Sequence, residues 1–97
     1  MSAVPLDTDA LYDAVYRQLT RVIDPEVGLS IIKLGLVYDL RIVDGAVEVV
    51  MTLTTRGCPL QAAITEGVRK VVAELPWVRS VQVKLVWEPA WHPGMIR

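Results

Sequence analysis

Cys58 is the one cysteine of the chain and lies in the run Gly57-Cys58-Pro59. Proline is favoured at the first helical position, so Pro59 predicts a helix start and puts Cys58 at the N-cap. There it would face unpaired backbone N–H groups and the positive end of the helix dipole. A thiol so placed falls from a pKa of about 8.5 to about 3.5–7.5 and becomes a thiolate, the form that attacks electrophiles and binds metals. Arg56 adds positive charge, and Thr54 and Thr55 bring hydroxyl donors for a sulfur or a ligand. The competing readings are a small buried hydrophobe for Cys58 and ordinary turn capping for the threonines. Asp24 and Glu26 flank Pro25, whose fixed φ holds two carboxylates apart at a set distance, suited to acid–base work or a hard metal. The alternative is that Asp24 caps a turn and Glu26 faces solvent. His92, the one histidine, is a ligand or proton carrier only if the tail folds back toward Cys58. Trp91 beside it suits either core closure or a partner surface.

Composition narrows these options. The 97 residues fit one domain, 1–97, and 53% hydrophobic against 22% charged residues is enough apolar material for a buried core. No apolar run approaches the roughly 20 residues a spanning helix needs, so no membrane association is expected. The first residues carry neither a basic n-region nor an apolar h-region, and a cytoplasmic protein is expected. Ten basic residues balance eleven acidic ones for a net charge of −1, which argues against nucleic acid as a partner. One cysteine rules out an internal disulfide and a zinc or iron–sulfur site built from several cysteines of one chain. A phosphate-binding loop and a dinucleotide fingerprint are absent, and a cysteine hydrolase would have only His92 as its base.

The elements that must position these residues read as α-β-β-α-β. Leu11, Val15, Leu19 and Val22 recur at helical spacing after Asp7-Thr8-Asp9, and that helix must stop before Pro25, leaving residues 24–28 as a turn. Leu36, Tyr38, Leu40 and Ile42 predict one face of a strand. Asp44-Gly45 predicts a tight hairpin turn, and Val47, Val49, Met51 and Leu53 the return strand. Leu60 through Leu75 has helical spacing up to Pro76. Val81, Val83, Leu85 and Trp87 predict a third strand, parallel to the second across the helical crossover. The expected fold is an α+β two-layer sandwich, a small mixed three-stranded sheet packed against two helices, followed by a tail loop from Glu88.

Four runs taken together resemble a known family. They are Asp24-Pro25-Glu26-Val27-Gly28-Leu29, Leu34-Gly35-Leu36-Val37-Tyr38, Met51-Thr52-Leu53-Thr54-Thr55-Arg56-Gly57-Cys58-Pro59-Leu60 and Trp87-Glu88-Pro89-Ala90-Trp91-His92-Pro93-Gly94-Met95. In this order they are similar to the small metal–sulfur (iron–sulfur) cluster assembly domains. The SufT-type branch looks nearest, with the PaaD-type phenylacetate-degradation branch, Mrp-type scaffolds and the eukaryotic MIP-eighteen cytosolic factor as relatives. Ser30 and Lys33 depart from the usual pattern, so the polar contacts of the second turn are expected to differ. The resemblance implies a non-enzymatic factor that matures iron–sulfur proteins. Cys58 would be the functional thiol and transient ligand of iron or a cluster, supported by Asp24, Glu26, Thr54, Thr55, Arg56, Gly57 and Pro59. Scaffold, carrier and client proteins would be its partners, with Trp91 and His92 as candidate contacts. A cluster normally takes four protein ligands, so one thiolate needs a second copy of the chain, a small thiol or a partner to complete the set. The alternatives are an adaptor that recruits apoproteins without touching metal, and a PaaD-like factor serving an oxygenase.

Overall fold

A computed structural model of the chain describes residues 8–54 and 60–97. The first helix, α1, runs Thr8–Leu19 and buries Val15 and Leu19 on the predicted stripe. Val22 is buried too, but beyond the helix, in a turn tightened by the Val22 N–H donating to the Leu19 carbonyl at 3.1 Å. The segment predicted as a bare turn is instead a miniature hairpin, in which β1 (Ile23–Asp24) pairs antiparallel with β2 (Leu29–Ser30) around Pro25–Gly28. Two-residue strands are too short to show a period of two, so the pattern could not reveal them.

The main sheet has the order β3-β4-β5. Strand β3 (Val37–Val43) and strand β4 (Ala46–Met51) form the predicted antiparallel hairpin. Asp44 and Gly45 both sit at positive φ, 49° and 81°, as a two-residue turn of matching twist demands. The second helix, α2, spans Gln61–Ala73, and β5 (Ser80–Leu85) returns parallel to β4 with Val47, Val49 and Met51 opposite Val81, Val83 and Leu85. Trp87 falls outside β5, because the pairing closes with the Val86 N–H donating to the Met51 carbonyl at 2.9 Å. The expectation for β3 also needs correction. A bulge between Val37 and Asp39 pairs Val37 with Met51, so Val37 packs on the core and Tyr38 leaves the predicted face.

One face of the sheet carries the core. Leu40, Val47, Val49 and Met51 meet Val15 and Leu19 of α1 and Ile64, Val68 and Val72 of α2, with Ile31, Leu34, Leu36 and Trp77 filling the ends. Each large side chain fully withdrawn from water contributes about 1.5–3 kcal/mol, so this cluster is the main source of stability. The other face alternates out of register with the core and is polar: Arg41 lies opposite Glu48, itself opposite Gln82, and Arg41 also reaches Asp39 at 3.3 Å. The two helices are tied at their ends. Gln18 donates to the Val71 carbonyl, and Arg21 meets Glu74 at 2.7 Å. No helix among the described residues is long and apolar enough to cross a membrane.

Candidate functional site

Asp24 is only 3% exposed although its neighbours Pro25 and Glu26 are solvent-facing. Its Oδ1 accepts the Glu26 N–H at 2.9 Å, and its carbonyl accepts the N–H groups of Val27 and Gly28 at 3.2 and 2.7 Å. The carboxylate therefore builds the turn it sits in, with Gly28 taking a φ of +80° to close it. Glu26 is held beyond the turn on the surface, so the two acids do not share one environment.

The 31–36 segment connects this turn to the end of β4. The Ile31 N–H donates to the Val22 carbonyl, the Leu36 N–H to the Ile31 carbonyl, and the Thr52 N–H to the Leu36 carbonyl, at 2.9, 3.0 and 2.9 Å. One backbone ladder thus joins the strand that leads into Asp24 to the strand that leads toward Thr54, which is half-buried. Ser30 caps this segment, its Oγ accepting the Lys33 N–H at 3.0 Å. Thr52 is fully buried and its hydroxyl has no hydrogen-bond partner among the described residues. Sequence reading passed over it, because a threonine in a strand-like run carries no signal of being orphaned.

Cys58, Thr55, Arg56, Gly57 and Pro59 lie outside the described residues. The described part of the second helix begins at Gln61, preceded by Leu60, whose carbonyl accepts the Ile64 N–H at 3.0 Å. Among the described residues there is no group of three or more His, Cys, Asp or Glu side chains that could hold a metal ion.

The tail folds back on the molecule, which the sequence left open. Trp91 is half-buried and its indole Nε1–H donates to the Leu34 carbonyl at 2.7 Å. Tyr38 donates its hydroxyl to the Pro89 carbonyl at 2.7 Å, and burial raises its pKa above the usual value. The Arg97 N–H donates to the Lys33 carbonyl at 2.9 Å. Gly35 has φ +73°, and any Cβ there would collide with the Met95 carbonyl. His92 is exposed and caps the short 3-10 turn Pro93–Met95, its Nδ1 accepting the Gly94 N–H at 3.1 Å. Two adjoining hollows of about 440 and 500 Å³ flank this clasp and share Gly35, Val37 and Arg97.

Residues 12–85, which include the first three motif runs, match the family described as iron-sulfur cluster assembly protein. The chain belongs to the iron–sulfur cluster assembly protein family. A Bacillus subtilis Fe-S protein maturation auxiliary factor, YitW, is 44% identical over 84 residues, covering 86% of this chain and 82% of the relative. The Staphylococcus aureus Fe-S protein maturation auxiliary factor SufT is 45% identical over 76 residues, covering 77% and 86%. The crystal structure of a Bacillus anthracis domain of unknown function superposes with a TM-score of 0.87 at 36% identity, covering 92% of this chain and 86% of that one. The expected α+β arrangement is therefore that of solved members of this assembly-protein family.

Proposed function

We propose that this chain is a SufT-type maturation factor that helps deliver iron or an iron–sulfur cluster to client proteins, working as a single domain and without a turnover reaction of its own. The observation that carries the reading is the 44% identity to a maturation auxiliary factor across 82% of that relative. Cys58 is the transient ligand. Its thiolate supplies one bond to iron, Thr54 and Thr55 supply hydroxyl donors, and Asp24, Glu26 and Arg56 set the charge around the cargo. Trp91 and His92 belong to the surface that scaffold or client proteins meet. An unpaired thiol with this task needs a reducing compartment, which assigns the protein to the cytoplasm.

The remaining ligands come from a second copy, a small thiol or the partner, since one sulfur cannot complete a four-ligand set. The single cysteine also supports an adaptor reading, in which the chain recruits clients and the metal stays on another protein. Anaerobic reconstitution of the native chain and of Cys58→Ser, read by visible absorption and iron and sulfide content, separates the two. Cluster or iron retained by the native chain and lost in Cys58→Ser supports the carrier. Equal, metal-free behaviour of both with client maturation intact overturns it in favour of the adaptor.

A further inference from the structure

We infer that Trp91 is a positioning residue, whose indole N–H holds the 31–36 segment and through it the buried Asp24 carboxylate. The tail fastens that segment at three consecutive residues: Arg97 to the Lys33 carbonyl, Trp91 to the Leu34 carbonyl, and the Met95 carbonyl against the Cα of Gly35. Only the Trp91 contact uses a side chain, and it is a neutral N–H to carbonyl bond at 2.7 Å beside the core. The fastened segment has two ends. At one end Ile31 bonds Val22 and β2 pairs with β1, with Asp24 opposite Leu29. At the other Leu36 accepts the Thr52 N–H. Within the segment the restraints are its own turns: the Leu34 N–H to the Ser30 carbonyl, the Gly35 N–H to the Ile32 carbonyl and the Lys33 N–H to the Ser30 Oγ, each at 3.0 Å. The tail is therefore an outside brace on a two-ended link between the acidic turn and β4. Gly35 is required because only a residue without Cβ, able to take φ +73°, lets the brace approach.

The inference rests on the maturation reading only for what the braced carboxylate serves; the bracing itself is tested without iron. The full chain and Trp91→Phe are compared by amide hydrogen exchange followed by NMR. Phenylalanine keeps an aromatic ring against the core and removes the donor, so the Leu34 carbonyl loses its partner. Exchange at Glu26, Ile31, Leu36 and Thr52 is expected to rise about five-fold, the effect of one net hydrogen bond, while the β4 and β5 amides stay unchanged. Tyr38→Phe, which frees Pro89 of the tail, is expected to raise the same four amides by a smaller factor. A uniform rise across all amides assigns Trp91 a merely structural role and overturns the inference. Unchanged rates, or a rise confined to residues 33–36 that stops short of Glu26, overturn it as well. A failed cluster reconstitution with a localised exchange response leaves the brace standing and removes only the carrier reading, so the two failures are distinguishable.

Discussion

At the scale of single residues, Asp24 and Thr52 carry opposite lessons. The Asp24 side chain has a structural task, accepting the Glu26 N–H, which asparagine can perform equally well through its own Oδ1. Urea denaturation is expected to show Asp24→Ala destabilised by about 1–2 kcal/mol and Asp24→Asn by less than half of that. If the charge serves the cargo, Asp24→Asn loses client maturation while keeping its stability; equal maturation by Asn removes the carboxylate from the proposed site. Thr52 has a buried hydroxyl with no partner among the described residues, and such a group costs about 1–3 kcal/mol. Thr52→Val keeps the shape and is expected to stabilise the fold by about 1 kcal/mol in the same denaturation series. Asp24 was legible in the sequence because Asp-Pro-Glu-Val-Gly is turn chemistry. Thr52 was not, because satisfaction of a hydroxyl depends on which strands pass beside it.

At the scale of elements, two glycines separate conformational from steric demand. Gly28 and Gly35 both have positive φ, but a Cβ on Gly28 meets open space, whereas one on Gly35 meets the Met95 carbonyl. Gly28→Ala is expected to cost about 1 kcal/mol for its left-handed backbone alone. Gly35→Ala is expected to cost more, about 2–3 kcal/mol, and to release the tail, seen as a red shift and rise of tryptophan emission from Trp91. The α1–α2 tie gives a pH signature. Hydrogen bonding to Arg21 holds the Glu74 carboxyl below its ordinary value of 4.5 in the folded chain. A carboxyl depressed on folding stabilises above its unfolded pKa, and that contribution is lost as pH falls through the folded value. The stability gap between the native chain and Arg21→Gln should therefore be open at pH 7 and narrow as the pH falls below the ordinary carboxyl value of 4.5. Added salt should shrink it at pH 7, because both partners are solvent-facing. A gap that stays unchanged all the way to the acid unfolding limit would sink the assignment.

For the whole molecule, the sheet has helices on one face and a charged, solvated face on the other, and its order β3-β4-β5 leaves the outer sides of β3 and β5 unpaired among the described residues. If a second copy completes the ligand set for Cys58, sedimentation should show cluster-loaded native chain as a dimer and Cys58→Ser as a monomer under the same conditions. A loaded native chain that sediments only as monomer assigns the missing ligands to a small thiol or a partner protein.

The amino-acid sequence alone determined the α-β-β-α-β order of the two helices and the main sheet, the Asp44–Gly45 hairpin and the core faces of both helices and β4. Each rests on local periodicity or on the φ of one or two residues, and neither needs a distant partner. It also carried the family, because four motifs in order are a property of the chain itself. The tertiary structure decided the bulge that turns Tyr38 out of its predicted face, the miniature β1–β2 hairpin, the burial of Asp24 and the return of the tail onto Leu34 and Gly35. These depend on hydrogen bonds between distant segments, such as Trp91 to Leu34 across 57 residues and Arg97 to Lys33 farther still, whose geometry exists only once the core has brought them together.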